Sequence, residues 1–239
     1  MGMHAGPRIR KKDLCLVADA RNPLIKTSST TQITNIIERA NHLTGTGLVT
    51  VEDTVAGTSF SFEDGNDMTQ SSWSPVINKY NFSIVYWIKF QSGKDNNYTR
   101  IWETNTTDNP SHAYYYICDT RTTASPSILH FVKDYSNSDW ATSSVITNGD
   151  WENSTTWFQL AITVAEEGEF KNYKNGVLHS TTTTSTEDLS SYGNIDQIEF
   201  GSTYNTTGAR CGHFSVYREV LSAADILENY NTLKPRFGL

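Results

Sequence analysis

The sequence predicts an all-β protein, two antiparallel sheets packed face to face, with one short helix near the C-terminus. Three observations predict it. Residues 157–164 and 81–90 alternate at period two: Phe158, Leu160, Ile162 and Val164 against Gln159, Ala161 and Thr163, and Phe82, Ile84, Tyr86, Ile88 and Phe90 against Val85 and Trp87. Strand side chains point to opposite faces in turn, so each pattern defines a buried face. Asn175-Gly176 separates two strand-like runs and suits the positive φ angles of a two-residue hairpin turn. Clusters of Asn, Asp, Ser, Gly and Pro recur at roughly 10–15 residue spacing, a rhythm of short strands rather than of strand–helix units. A sheet with one apolar face needs a second layer, hence a sandwich.

Leu14, Leu16 and Ala18 alternate with Cys15, Val17 and Asp19 in a first strand that ends at the Asn22-Pro23 turn. Residues 26–57 are Thr/Ser-rich and weakly patterned; they read as a long connection over the sandwich edge, with a helical turn near 35–40. A strand at 59–62 stops at Glu63-Asp64-Gly65-Asn66-Asp67. The strand at 81–90 has apolar residues on both faces and is expected at the centre of a sheet covered on both sides. Weaker strands follow near 98–103, 113–119, 127–133 and 141–146. Residues 157–164, 170–174 and 177–182 make two successive hairpins, and 157–164 should bury one face and leave the other small and more polar. Late strands are expected at 195–201 and 210–219. Ser222-Ala223-Ala224-Asp225 has the form of a capping box opening a helix to about Tyr230, packed through Ile226, Leu227 and Tyr230. Pro235 cannot continue that helix. The organisation is a basic arm at 1–12, one domain at 13–231 and an extended tail at 232–239.

The 239 residues are 37% hydrophobic, 12% aromatic and 19% charged, enough for a core beneath a Thr/Ser/Asn-rich surface. Net charge is -7, yet Arg8, Arg10, Lys11 and Lys12 open the chain with no acidic residue among them; without those four, 15 basic residues face 26 acidic ones. An acidic body argues against a nucleic-acid surface, while the arm suits an acidic neighbour or a solvated terminus. Cys15, Cys118 and Cys211 have no metal-ligand spacing and are expected as reduced core or strand residues. No apolar leader or membrane-spanning run is seen, so no membrane partner is expected.

Several phrases, in order, resemble one family. Leu14 to Pro23 resembles its opening strand, Ser59 to Asp67 its Phe-Asp-Gly turn, and Phe82 to Lys89 its central strand. Trp157 to Val164, Tyr173 to Gly176, Ile198 to Gly201 and Phe214 to Ser222 follow. Together they resemble the concanavalin A-like, laminin-G-like jelly-roll domains. The ends, His4 to Ile9 and Leu233 to Leu239, resemble single-domain members carried by tailed phages. Arg21, where glycine or alanine is usual, and the inserted Glu63 depart from the pattern. The resemblance implies a non-enzymatic virion protein made in the host cytoplasm: a capsid decoration, tail fibre or other appendage component, homo-oligomeric and contacting other virion proteins. Docking then falls to Arg8, Arg10, Lys11, Lys12, Arg236 and Phe237. The alternative is a carbohydrate-binding module holding the particle to host glycans.

Candidate chemistry is sparse. The fold also houses glucanases with a Glu-x-Asp-x-x-Glu strand, but here Asn194 stands first before Asp196 and Glu199, and an amide cannot be the nucleophile. No catalytic residue is assigned. Asp64 and Asp67 offer carboxylates to a Ca2+ ion or, equally, close a turn through backbone hydrogen bonds. Tyr114, Tyr115 and Tyr116 are consecutive, so at least one should point outward, and Trp140 and Trp151 lie in polar surroundings. These five suit sugar stacking or a protein interface.

Overall fold

A computed structural model describes residues 9, 12–22, 32–35, 37–38, 41–45, 49–61, 66–70, 73–90, 98–106, 116–121, 127–133, 140–146, 156–165, 169–183, 193–202 and 209–239. In chain order the strands are β1 (Leu14–Asp19), β2 (Gln32–Ile33), β3 (Leu43–Gly45), β4 (Val49–Asp53), β5 (Gly57–Ser61), β6 (Asn66–Gln70), β7 (Phe82–Phe90) and β8 (Tyr98–Asn105). They continue as β9 (Tyr116–Arg121), β10 (Ser127–Lys133), β11 (Trp140–Ile146), β12 (Phe158–Val164), β13 (Glu169–Lys174), β14 (Val177–Thr183), β15 (Gln197–Ser202) and β16 (Ala209–Tyr217). Helix α1 (Ala223–Leu233) and a 3-10 helix (Lys234–Phe237) close the chain. No helix among the described residues is long and apolar enough to cross a membrane.

Among the described residues the strands form two antiparallel sheets. The first runs β14-β13-β12-β7-β16-β5-β4, with β1 also on β16; the second runs β11-β10-β9-β8-β15-β6-β3-β2. The inner faces meet through aromatic rings. Phe200 of the second sheet packs on Phe60 and Phe214 of the first, with centroids 5.7 and 4.6 Å apart. Tyr86 meets Trp102 edge-on at 6.4 Å, and its hydroxyl lies 3.0 Å from Cys118 Sγ. Cys15, Cys118 and Cys211 are free and buried, and burial pushes the Cys15 thiol up to about 12. Such thiols are structural rather than reactive.

The central position of β7 follows from its sequence. Its inner row joins the aromatic core, while Trp87 faces outward and is also fully buried. The outer cover is the C-terminal segment, which corrects the expectation of an extended tail. Ser222 caps α1, its hydroxyl accepting from the Asp225 amide while the Asp225 carboxylate accepts from Ser222 N. The helix runs past Tyr230 to Leu233 and tightens into the 3-10 turn. Pro235 fits that turn because the first turn of a helix has no intrahelical use for its missing N–H. Phe237 stacks on Trp87 with centroids 4.3 Å apart and planes at 8°. Ile226 is buried as expected, but Leu227 is 43% exposed. The same cover buries the second face of β12, so Gln159, Ala161 and Thr163 are as enclosed as their apolar neighbours.

Two further differences concern the first half. Residues 26–57 are not only a connection, since β2, β3 and β4 lie there and extend both sheets. Of the helical turn expected near 35–40, residues 37–38 form a bend, and 36, 39 and 40 lie outside the described residues. Asn66 and Asp67 begin β6, with Asp67 opposite Gly201, rather than completing a turn. The weak side-chain alternation of these strands hid them; backbone pairing to strongly patterned neighbours creates them.

The Asn175-Gly176 turn is as expected, with φ of 51° and 80°. A Cβ added at Gly176 would lie 2.9 Å from Leu227 Cδ1 and 3.1 Å from Tyr230 Cβ. Gly176→Ala is therefore expected to destabilise the fold by about 1–3 kcal/mol, read as a lower denaturant midpoint with unchanged slope.

Candidate functional site

The second sheet has one face turned to the core and one turned away, and register separates them. Phe200 pairs with Met68 and Trp102, and Trp102 pairs with Cys118; all four are fully buried against the first sheet. The neighbouring positions belong to the outward face. There Glu199 pairs with Thr69 on β6 and Glu103 on β8, Thr69 pairs with Thr44, and Thr44 with Gln32. A polar row, Gln32, Thr44, Thr69, Glu199 and Glu103, thus crosses five neighbouring strands. It grades from exposed Thr44 to Glu103, which is only 3% exposed.

Residues opposite each other on antiparallel strands have Cβ atoms about 4.5–5.5 Å apart, so Glu103 and Glu199 form a like-charge pair. Arg100 Nη1 donates to Glu103 Oε2 at 2.5 Å. Burial first, and then the charge of Glu199, push the Glu103 carboxyl up to about 8 against the opposing pull of Arg100. Near neutral pH the pair therefore holds a proton and presents both a donor and an acceptor. Gln32, Thr44, Thr69 and Glu199 stand one per strand at solvent, at the strand spacing of about 4.8 Å, with Glu103 buried at the end of the row.

The stretch that resembled a catalytic strand is built for support. Asn194 Oδ1 accepts from Lys79 N at 3.4 Å, the Asp196 carbonyl accepts from Trp73 N, and Ile195 bridges to Ile77. Glu103, buried and held by Arg100, is poorly placed to protonate a leaving group in solvent.

Of the candidates named from sequence, Tyr114, Tyr115, Trp151, Arg8, Arg10, Lys11 and Asp64 lie outside the described residues. Tyr116 on β9 is opposite Val132 of β10, and Trp140 on β11 is opposite the adjacent Lys133. The fold therefore brings these two to the same end of the second sheet. Lys12 is exposed, with Nζ 3.5 Å from Glu219 and 3.8 Å from Asp13. Arg236 and Phe237 are engaged within the fold. Arg236 Nη1 donates to Asp19 Oδ2 at 2.5 Å and Nη2 to the Gly212 carbonyl at 3.3 Å, while Phe237 is 2% exposed. Sequence reading missed Glu103 and the polar row entirely. Only strand order brings residues 32, 44, 69, 103 and 199 together; local pattern carries no trace of it.

Fold and face together define a two-sheet antiparallel β-sandwich with a polar row on the outward face of its second sheet. No protein-family model matches the chain, and no curated protein matches its sequence. Among solved structures it is similar to the binding domain of botulinum neurotoxin serotype D, with a TM-score of 0.68 and 17% identity over 92% of this chain and 51% of that one. A serotype D ligand binding domain in complex with N-acetylneuraminic acid gives 0.61 and 18%, covering 92% and 50%. The binding domain of Paraclostridial Mosquitocidal Protein 1 gives 0.65 and 14%, covering 92% and 52%. The chain spans about half the length of these structures, and at such identities the likeness shows the fold.

The carboxyl pair sets a pH dependence. Glu103 rises from an ordinary 4.5 to about 8, so between those values the folded chain keeps a proton that the unfolded chain releases. Stability then falls as pH rises through this window, by at most about 1.4 kcal/mol per unit. Asp19 works oppositely: burial would raise it, but hydrogen bonds and charge from His213 and Arg236 hold it well below the usual carboxylate range. Its contribution is present above the ordinary carboxylate value and is lost as pH falls through the depressed one. Thermal melts are expected to give a higher Tm at pH 5 than at pH 8.5, with most of the difference removed by Glu103→Gln. An equal difference in that variant would contradict the assignment.

Proposed function

We propose that the chain is a non-enzymatic, lectin-like binding module that holds a hydroxyl-rich glycan against the outward face of its second sheet. The observation that carries this reading is the cross-strand row from Gln32 to Glu103, whose donors and acceptors alternate with a packed apolar row beneath. The similar solved structures are titled binding domains, one with a sugar acid bound, which supports a binding role over a catalytic one. Net charge and the carboxyl pair disfavour an anionic sugar and favour a neutral one. By register Trp140 belongs to the outward face of this sheet and Tyr116 to the inner one, so of the two only Trp140 is proposed to extend the platform. A neutral-glycan array should give a signal that Glu199→Gln or Thr69→Val lowers roughly tenfold, equivalent to about 1.4 kcal/mol. Absence of any glycan signal, or a signal indifferent to both substitutions, would remove this reading.

A second reading rests on the resemblance of the two ends, His4 to Ile9 and Leu233 to Leu239, to domains carried by tailed phages: the module is a virion component, docked through the basic arm at residues 8–12. Arg236 and Phe237 take no part in that docking. Mass spectrometry of purified particles should detect the chain, and replacing Arg8, Arg10 and Lys11 by Gln, which keeps Ile9 packed on the core and Lys12 beside Glu219, should deplete it from particles while leaving its melt unchanged. Normal copy number without these charges would end the docking idea. Asp64 and Asp67 are kept as a proposed Ca2+ site, for which a melt shifted by EGTA is the expected result and an unchanged one the refutation.

A further inference from the structure

The outward face of the first sheet is heavily covered and poorly satisfied. One cross-strand row there reads Asp19 on β1, His213 on β16, Trp87 on β7 and Gln159 on β12. Gln159 is fully buried, and among the described residues neither its Nε2 nor its Oε1 has a hydrogen-bond partner; Trp87 Nε1, also buried, has none there either. An unpaired buried polar group costs about 1–3 kcal/mol. A face that served only as the seat of a helix would be expected to be apolar at these positions.

The cover over this row is distinctive. Phe237 lies parallel to the Trp87 indole at 4.3 Å, and Tyr230 lies parallel to it at 5.6 Å. Arg236 is hydrogen-bonded to Asp19, whose Oδ2 also faces His213 Nδ1 at 3.4 Å. Gly212 makes the seat possible, since a Cβ there would fall 2.5 Å from Phe237 Cε1 and 2.9 Å from its Cζ. Leu233 and Phe237 cluster with Ala56, Trp87 and Trp157, apart from the main core, whereas Ile226 earlier in α1 belongs to that core. The last turn of α1 and the 3-10 helix thus pack on a cluster separate from the one that holds the first part of the helix.

We propose that the Trp87 row is a second, masked glycan-binding patch and that residues 234–239 are its built-in competitor. The flat Phe237 ring occupies the position where a pyranose would stack on the indole. Arg236 occupies the Asp19 carboxylate that would accept from sugar hydroxyls. The Gln159 amide has a donor and an acceptor that no protein group satisfies, and a polyhydroxylated ligand would satisfy both. The ligand class follows the glycan reading above, but the patch lies on the opposite sheet and is tested separately.

The test uses the full chain with Phe237→Ala and, independently, Gly212→Ala, which displaces the ring while retaining it. Both should still unfold cooperatively, with tryptophan emission shifted to the red and faster hydrogen exchange over 230–239. On immobilised neutral oligosaccharides of glucose, galactose, mannose and N-acetylglucosamine, each should bind roughly tenfold more tightly than the parent chain. Adding Trp87→Ala should abolish the gain, and adding Glu199→Gln should leave it. Folded variants with no gain, or a gain that survives Trp87→Ala, would overturn the proposal. Collapse of the whole sandwich in both variants would also overturn it, by making the segment a structural staple. Binding of aromatic peptides without sugars would overturn the ligand class. A gain in the variants with no glycan signal from the parent would sink the second-sheet site and leave this patch standing.

Discussion

The two-sided burial of β7 is the constraint from which the rest of the molecule follows. Ordering a residue costs roughly 1–2 kcal/mol of backbone entropy, and fully burying a large apolar side chain returns about 1.5–3 kcal/mol. A strand that buries one face has an apolar side chain only every second residue and little surplus. Described β7 residues are buried along both faces, so this strand can anchor β12 on one side and β16 on the other. Its inner row requires the second sheet. Trp87 on its outer face requires another cover, and with no third sheet among the described residues α1 and the 3-10 helix provide it. The C-terminal residues are thus fixed by a side chain some 150 positions earlier, through the stacked Trp87 and Phe237 rings.

Charge inside the fold obeys two different rules on the two sheets. Around the first, and at Glu38 between β2 and β3, buried or half-buried carboxylates are matched by cations from distant parts of the chain. Asp53 meets Lys89 and, at 3.6 Å, Arg210, and also accepts from Trp157 Nε1 at 3.3 Å. Asp19 meets Arg236, and Glu38 meets Arg218 as well as Trp73 Nε1 at 3.1 Å. Such pairs add little net stability over apolar packing, but removing one partner is costly, so they fix which segments meet. On the second sheet Glu103 faces another carboxylate, with one arginine between two potential charges. That arrangement works against folding at neutral and alkaline pH, which is the character of a site kept for a purpose other than stability.

Strong alternation made the centre of the fold legible. Strands β7 and β12, the Asn175-Gly176 hairpin and the Ser222 cap stand where period and turn chemistry put them, because each is decided by residues within one strand or one helical turn. Strands β2, β3, β4 and β6 were not legible. Their residues, such as the threonines of β3 and β6, have no strong pattern of their own, and they become strands through backbone pairing with neighbours far along the chain. The tail was misread for a related reason: Pro235 does forbid continued α-helix, but it allows a 3-10 turn, and the pull toward that turn comes from Trp87. The polar row is the extreme case, since its members are adjacent only after the strand order β8-β15-β6-β3-β2 is known.

Stability and the proposed contacts of the second sheet can be separated in this architecture because they occupy different faces. The inner faces and the cover over β7 hold the large rings, and substitutions there are limited by packing. The outward face of the second sheet rests on its own hydrogen-bonded ladder and on the apolar row behind it. Its polar side chains can change without opening the core. A sandwich of this kind can keep its fold while its ligand changes, which is why similarity to toxin binding domains establishes architecture and leaves the ligand to be read from this chain's own side chains. Here those side chains are hydroxyls, an amide and a proton-sharing acid pair on an acidic body. That chemistry suits reversible recognition of neutral hydroxyl groups better than capture of an anion.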